Sequence, residues 1–230
     1  MCAVSGMVSC MRTCSFIMAT WVGCASAQAC ELALVLAVDV SGSVDHIEYR
    51  LQMDGLGAAL ADGAVTEALV AAQAKVMLLQ WTGISRQRVS VPWTHVTDLN
   101  AADALALRVR GAPREWRNFS TAIGEAVGSA LIEFDAVPEC KRRVIDVSGD
   151  GFSNEGVPPA EMKSAALRKG VTINGLAIAE SENKLVDYYR ANLIVGPGSF
   201  ALEALTFEDY PKRIRQKLLR EITKQVASLE

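Results

Sequence analysis

Short apolar runs along the chain predict the strands of a sheet. Residues 32–38 (LALVLAV) and 76–81 (VMLLQW) are almost entirely hydrophobic, which is typical of strands buried on both faces of a parallel sheet. Residues 88–93 instead alternate between apolar and polar side chains, and their Pro92 favours an edge strand. Three further strands are predicted at residues 143–147, 171–178 and 199–202.

Helical periodicity fills the stretches between these strands. In the last helix an apolar residue recurs every four positions (Ile214, Leu218, Ile222 and Val226), so one stripe is expected to face the sheet. The basic residues between them are expected in solvent, with binding to a membrane or a partner as the alternative. These residues are Lys212, Arg213, Arg215, Lys217, Arg220 and Lys224. The predicted helices are 47–60, which 65–72 extends, 99–109, 121–134, 159–168, 183–191 and 207–229.

The alternation of strands and helices predicts the fold class. It favours an α/β fold with a doubly wound, mostly parallel six-stranded sheet, helices on both faces and one antiparallel edge strand. In open sheets of this kind, ligands bind at the carboxyl ends of the strands, where the winding direction switches. Candidate functional residues are therefore sought at strand ends.

The first 29 residues differ in composition from the rest. They carry one charge, Arg12, followed by an apolar stretch and a run of small residues. This is the pattern of a secretory signal peptide, and its apolar core is too short to span a bilayer. We expect cleavage after Ala29, or alternatively after Ala27, and a domain at residues 30–230. A cytosolic protein with a buried N-terminal helix would also fit this composition, as would a lipoprotein anchored through Cys24 or Cys30.

Composition narrows the class of protein further. The chain has 230 residues, 50% of them hydrophobic, which is enough for one well-buried domain. Its net charge of -3 argues against nucleic acid as a partner, because nucleic-acid binders usually present a basic face. We expect a monomer without a transmembrane span, located in the periplasm or secreted.

Cleavage after Ala29 would leave two of the six cysteines. An even number in an oxidising compartment favours a disulfide between Cys30 and Cys140. Cys30 and Cys140 lie at similar distances before Asp39 and Asp150, so neighbouring parallel strands that end at these aspartates would also bring the cysteines level. Two buried free thiols are the alternative.

Polar residues follow two predicted strands and open one predicted helix. Residues 39–43 (DVSGS) end the first strand, residues 148–151 (SGDG) end the fourth, and Thr121 opens a helix after a loop. A doubly wound sheet brings all three segments to one edge. Their carboxylates and hydroxyls are hard oxygen ligands that suit Mg²⁺, Mn²⁺ or Ca²⁺ rather than Zn²⁺. The predicted ligands are Asp39, Ser41, Ser43, Thr121 and Asp150.

These segments resemble the metal-ion-dependent adhesion site of von Willebrand factor A domains. That family's pattern is Asp-x-Ser-x-Ser, a distant threonine, and Asp-Gly after the fourth strand; all five positions match in order and spacing. The resemblance covers the whole of residues 30–230. Stretches such as VIDVSGDG, INGLAI and GPGSF further resemble an uncharacterised family of exported bacterial von Willebrand A-like proteins. One departure is Phe119-Ser120, where many members have Gly-Gly before the threonine; it affects the loop rather than the ligand.

The resemblance implies a role for each ligand. Ser41 and Ser43 would bind the metal through their hydroxyls, Thr121 directly or through water, and Asp39 and Asp150 largely through waters. The resemblance also implies that a partner's carboxylate completes the coordination. The expected cofactor is Mg²⁺ or Mn²⁺, with Ca²⁺ less suited. The expected partner is a protein or peptide that carries an exposed Asp or Glu.

The loop before Thr121 is a candidate recognition surface. It contains Arg114, Trp116 and Arg117, and arginine and tryptophan are enriched at binding hot spots. We expect these residues to form a rim that selects the partner. The alternative for Trp116 is a side chain packed under the loop.

Motifs of enzyme active sites are missing. The only two histidines, His46 and His95, do not form a metal-binding pair, and the chain has neither a nucleophile elbow nor a phosphate loop. We therefore expect a binding module rather than an enzyme. The alternative is a metal-assisted hydrolase in the same crevice, for which only His46 and Asp45 could serve as the base.

Overall fold

The computed structural model describes residues 1–2, 29–180 and 184–223. Residues 3–28 of the predicted signal peptide, Asn183, and the predicted last helix beyond residue 223 lie outside this range. The strands are β1 (Leu32–Asp39), β2 (Lys75–Trp81), β3 (Gln87–His95), β4 (Arg142–Gly149), β5 (Val171–Ile178) and β6 (Ala201–Ala204). The helices are α1 (His46–Leu60), α2 (Gly63–Ala71), α3 (Leu99–Arg110), α4 (Ile123–Glu133), α5 (Pro159–Arg168), α6 (Leu185–Asn192) and α7 (Tyr210–Thr223). A short 3-10 helix at Phe134–Ala136 follows α4.

The strands form one sheet in the order β3-β2-β1-β4-β5-β6. Neighbouring strands are parallel except β2 and β3, which are antiparallel. The predicted doubly wound sheet, its antiparallel edge strand and the pairing of the first and fourth strands are thus confirmed. Within β3, Pro92 lies where the pairing with β2 changes register between Val76 and Leu78, as suits a residue without an N–H.

Helices cover both faces of this sheet. All eight residues of β1 are buried, and alternate side chains enter two hydrophobic clusters. Leu34 and Leu36 belong to the cluster under α1, α2, α3 and α7. Val35 and Ala37 belong to the cluster under α4, α5 and α6. Because the strand interiors are apolar on both faces, polar residues collect mainly at the strand ends.

A disulfide joins the starts of β1 and β4. Cys30 and Cys140 are bonded, with their Cα atoms 4.5 Å apart. The strands are in register just beyond them, where Leu32 pairs with Arg142, and the Lys141 amide donates to the Cys30 carbonyl at 3.0 Å. The predicted bridge is present, at the edge of the sheet opposite Asp39.

Some predicted boundaries were wrong. Residues 63–71 form a separate helix rather than an extension of the first one, because the Asp62 side chain accepts hydrogen bonds from the Ala64 and Val65 amides and begins a new helix. Thr121 precedes α4, which begins at Ile123. The sixth strand starts at Ala201 instead of residue 199, after a turn with positive φ at Gly196 and Gly198.

The predicted solvent-exposed face of the last helix also needs correction. Ile214, Leu218 and Ile222 face the sheet as predicted. Lys217, however, is fully buried and forms ion pairs with Asp146 and Glu221. Its charge is compensated inside the protein rather than by water.

Candidate metal centre

Three segments meet at the carboxyl edge of the sheet. Asp39 is the last residue of β1, Asp150 follows β4, and Thr121 lies just before α4. Because β1 and β4 are parallel neighbours, both aspartates lie at the same edge. Residues that are far apart in the sequence are thereby brought to one place.

Hydrogen bonds fix the turn that follows β1. The Ser41 amide donates to Asp39 Oδ1 at 2.7 Å, and the Gly42 amide donates to the Phe119 carbonyl at 2.7 Å. The hydroxyls of Ser41 and Ser43 lie 3.2 Å apart, and Ser43 Oγ donates to Asp150 Oδ1 at 2.7 Å. A chain of oxygens therefore links the end of β1 to the end of β4.

Thr121 is held by the loop that follows β4. Its amide donates to Asn154 Oδ1 at 2.9 Å, and its carbonyl accepts from the amide of Asn154 at 2.9 Å. A Cβ added to Gly151 would lie only 3.6 Å from Thr121 Oγ1. The threonine hydroxyl is thus beside the Asp150–Gly151 turn, and the structure brings all five predicted ligands together.

The two carboxylates are buried with little positive charge nearby. Burial, followed by repulsion from Asp150, raises the pKa of Asp39 to about 8. Burial also raises the pKa of Asp150, against the hydrogen bond from Ser43. The Arg114 guanidinium lowers both pKa values only in part. Such a pair is costly to ionise unless a cation joins it.

The side chains present fit a hard divalent cation. Asp39 Oδ2 is buried and has no hydrogen-bond partner among the described residues. The donors are carboxylate and hydroxyl oxygens, which suit Mg²⁺ or Mn²⁺. Within the described ranges no group of three or more His, Cys, Asp or Glu side chains could hold a metal. A site here must therefore use the serine and threonine hydroxyls.

The sequence matches the model of one protein family. A family described as "Protein of unknown function (DUF1194)" matches residues 29–226. The chain belongs to this family. No curated protein matches the sequence.

Solved structures of low sequence identity share the fold. A von Willebrand factor type A protein from Catenulispora acidiphila has 18% identity and a TM-score of 0.57, over 84% of this chain and 43% of its own. Proximal thread matrix protein 1 from the mussel byssus, with a zinc-occupied MIDAS motif (metal-ion-dependent adhesion site), has 14% identity and a TM-score of 0.59, over 84% and 48%. The pilus adhesin SpaC from Lactobacillus rhamnosus GG has 12% identity and a TM-score of 0.57, over 83% and 31%.

The fold of this DUF1194 chain is therefore that of a von Willebrand factor A domain. The chain spans less than half the length of each of these three structures. Within the described residues, no helix is long and apolar enough to cross a membrane.

The predicted rim residues point in different directions. The Arg114 guanidinium donates to the carbonyls of Val40 at 3.1 Å and Ser41 at 2.9 Å. It therefore stabilises the backbone of the turn after β1. Trp116 is partly buried and packs against the cluster that includes α7. Arg117 is exposed. Of the three, Arg117 has the freest side chain.

Two features near the site were missed by the sequence analysis. One is Tyr189 on α6, whose fully buried hydroxyl lies near Asp39; burial, followed by the charge of Asp39, raises its pKa well above 10. The other is an exposed cluster in which the Arg86 guanidinium stacks 3.9 Å from the Phe119 ring centre. Glycines within β4 and β5, at 149 and 175, were the sequence signal for a close approach such as that of Tyr189.

Proposed function

We propose that this chain is an exported, metal-dependent binding module that recognises a partner protein or peptide through an Asp or Glu carboxylate. One observation carries the proposal: two buried carboxylates are linked through the Ser41 amide and the hydroxyls of Ser41 and Ser43, at a sheet edge where Ser43 is exposed. Such a site is reachable from solvent and lacks the charge that would neutralise it.

The proposed ligands have two different roles. The hydroxyls of Ser41, Ser43 and Thr121 would contact the ion, while Asp39 and Asp150 would orient those hydroxyls and supply negative charge. A bound cation would supply the positive charge with which a partner's carboxylate pairs. We propose Mg²⁺ or Mn²⁺ because the donors are all oxygen. The zinc-occupied motif of the mussel protein supports a divalent ion without fixing which one.

The surface beside the site supports recognition of a protein. Ile84, Phe119 and Val157 are exposed by 42%, 38% and 36%, although each is a large apolar side chain. Glu155 links the segments that carry these side chains, because it accepts hydrogen bonds from the Ile84 amide and from the Ser120 hydroxyl. We propose that the partner's segment crosses this surface and Arg117, while Arg114 and Trp116 hold the loop in place.

A hydrolase has less support. Asp45, one of the two candidate bases, caps α1 by accepting hydrogen bonds from the Ile47 and Glu48 amides. His46 is exposed at the first position of that helix. The similar folds include a pilus adhesin and a thread matrix protein, which agrees with a role in binding.

Export is supported by two observations. The Cys30–Cys140 disulfide suits an oxidising compartment. The family match begins at residue 29, where cleavage of the signal peptide is expected. We propose a periplasmic or secreted location for the mature domain.

Calorimetric titration with MgCl₂ and MnCl₂ tests the metal site. The wild-type protein should bind a cation, and Asp39→Ala should abolish binding. Its metal-free melting temperature should not fall, because the change removes a buried carboxylate that is costly to ionise. Asp103→Ala, at an exposed position of α3, is the matched control and should bind as the wild type does. Unchanged affinity in Asp39→Ala would refute the assignment.

Synthetic peptides test the recognition surface. Peptides with one Asp next to Leu or Phe should bind more tightly than peptides with Asp next to Ser, and only when Mg²⁺ is present. Phe119→Ser should remove this preference, whereas Leu107→Ser should not, since Leu107 is an exposed apolar residue on α3. Peptide binding that persists with a chelator would contradict recognition through the metal.

A further inference from the structure

We infer that Tyr189 is a positioning residue of the proposed metal site, and that its hydroxyl donates a hydrogen bond to Asp39 Oδ2 when a bound cation keeps that carboxylate ionised. The inference rests on the proposed function. It assigns a role to a side chain on α6, an element that contributes none of the five proposed ligands.

Two polar atoms without partners face one point in the structure. The Tyr189 hydroxyl and Asp39 Oδ2 are both buried and have no hydrogen-bond partner among the described residues. A Cβ placed on Gly149 would lie 2.9 Å from the first and 2.8 Å from the second. The missing side chain at residue 149 is therefore what lets the hydroxyl and the carboxylate approach each other.

A second glycine admits the tyrosine ring. A Cβ on Gly175 would lie 2.7 Å from Tyr189 Cδ2, closer than real Cβ contacts allow. Gly175 pairs with Val147, two residues before Gly149 on the neighbouring strand β4. The two glycines thus form a slot across β4 and β5, in which the ring lies with its hydroxyl towards β1. Glycine inside a strand often marks such a close approach.

The hydroxyl is otherwise unfavourable at this position. Phenylalanine would fill the same slot without burying an unpaired polar group, and burial of an unpaired hydroxyl destabilises the folded state. The unpartnered Asp39 Oδ2 is the acceptor that lies near this hydroxyl. A hydrogen bond from this hydroxyl to Asp39 would offset the free-energy cost of burying it.

The positioning role of Tyr189 follows from the second oxygen of the Asp39 carboxylate. Asp39 Oδ1 is already fixed by the Ser41 amide at 2.7 Å. A donor on Oδ2 would fix the whole carboxylate and, through the amide of Ser41, the turn that carries both serine ligands. Groups that orient ligands in this way typically change metal affinity by about 10–100-fold when they are removed.

The test compares two buried tyrosines. Tyr189→Phe should lower the affinity for Mg²⁺ or Mn²⁺ by about 10-fold or more, in the range expected for such groups. Tyr210→Phe is the matched control: Tyr210 is also fully buried, but its hydroxyl lies near Asp146 and Ser148 on the α7 face. It should leave the affinity unchanged. Neither variant should lose metal-free thermal stability.

A spectroscopic measurement separates positioning from packing. Ultraviolet Raman difference spectra, wild type minus Tyr189→Phe, should show one tyrosine becoming a stronger hydrogen-bond donor when Mg²⁺ is added. Equal cation affinity in wild type and Tyr189→Phe, or a tyrosine signal that Mg²⁺ does not change, would overturn the inference and leave the proposed function standing. A wild-type protein that binds neither cation would refute the proposed function itself, and this role with it.

Discussion

At the scale of single residues, the buried charges under α7 have the clearest consequence. Lys217 forms ion pairs with Asp146 and Glu221, and Asn174 donates to Glu221 Oε1 at 2.9 Å. One cation thus faces two carboxylates in the core. Burial, followed by repulsion from Asp146, raises the pKa of Glu221 from 4.5 to about 7, against the opposing effect of Lys217.

We expect Glu221 to make stability depend on pH. The folded protein binds the Glu221 proton more tightly than the unfolded chain does, so this group lowers the free energy of unfolding as pH rises from 4.5 to about 7. Above that pH its effect levels off. Glu221→Gln should remove this component, so that the variant gains stability relative to the wild type as pH rises through the window.

Urea unfolding with a chelator present, at several pH values across this window, measures the effect. Glu161→Gln, at an exposed position on α5, is the control and should keep the wild-type slope. Parallel pH profiles for wild type and Glu221→Gln would contradict the expectation.

Sequence reasoning placed Lys217 in solvent for a definable reason. The four-residue spacing of the apolar stripe predicts an exposed Lys217, but helix positions three residues apart share a face as well. Lys217 lies three residues after Ile214, and Glu221 lies three after Leu218. Both therefore belong to the buried face, where they pair with each other, and Asp146 on β4 adds a second carboxylate beside Lys217.

At the scale of elements, α4 is positioned by a contact that permits no side chain. A Cβ on Gly124 would lie 1.9 Å from the carbonyl oxygen of Val157, which is backbone and cannot rotate away. The loop that contains Val157 also holds Thr121 through Asn154. The start of α4 and the proposed metal site therefore depend on the same close approach.

Two glycine substitutions in α4 should differ in their effect on stability. Gly124→Ala should lower the free energy of unfolding by about 1–3 kcal/mol or more through overpacking, and should weaken cation binding. Gly128→Ala meets only the flexible end of Met162 at 3.3 Å, so it should be neutral or stabilise the helix by roughly 0.5–1 kcal/mol. Chemical denaturation and calorimetry measure both quantities. Equal stability of the two variants would show that the contact at Gly124 can relax.

The strands were predictable because their environment is uniform. Buried parallel strands such as β1 need apolar residues on both faces, and a continuous apolar run of this short length favours such a strand over a helix. Local capping was harder to see: Asp62 begins α2 only one residue after the C-cap of α1 at Ala61. The slot for Tyr189 depends on two glycines in different strands, and a linear pattern does not reveal which side chain fills it.

At the scale of the whole molecule, the proposed cation should act as a stabilising ligand. Binding to the folded state alone adds about 2.7 kcal/mol when the free cation is at 100 times its Kd. For a domain of this size each kcal/mol raises Tm by roughly 2–4 °C. Thermal unfolding with MgCl₂ and with a chelator should differ accordingly, and Asp39→Ala should show no difference.

The disulfide should contribute to stability without affecting the site. It closes a loop with a sequence separation of 110, worth about 5 kcal/mol in the chain-entropy model. The double variant Cys30→Ser, Cys140→Ser should therefore unfold at a lower urea concentration. Its cation affinity should match that of the wild type, because the bridge and Asp39 lie at opposite ends of β1. A loss of affinity would indicate that the register of β1 and β4 depends on the bridge.

The same bond determines how the domain would carry mechanical tension. Once the fold has given way, a pull applied at residues 29 and 223 would pass from Cys30 through the sulfurs into Cys140, so residues 31–139 would bear no load. Four of the five proposed ligands lie within that shielded ring, and Asp150 lies beyond it. Of the five proposed ligands, only Asp150 would then lie in the part of the chain under tension. The closed loop would shorten the fully extended chain by roughly 360–400 Å until the disulfide is reduced.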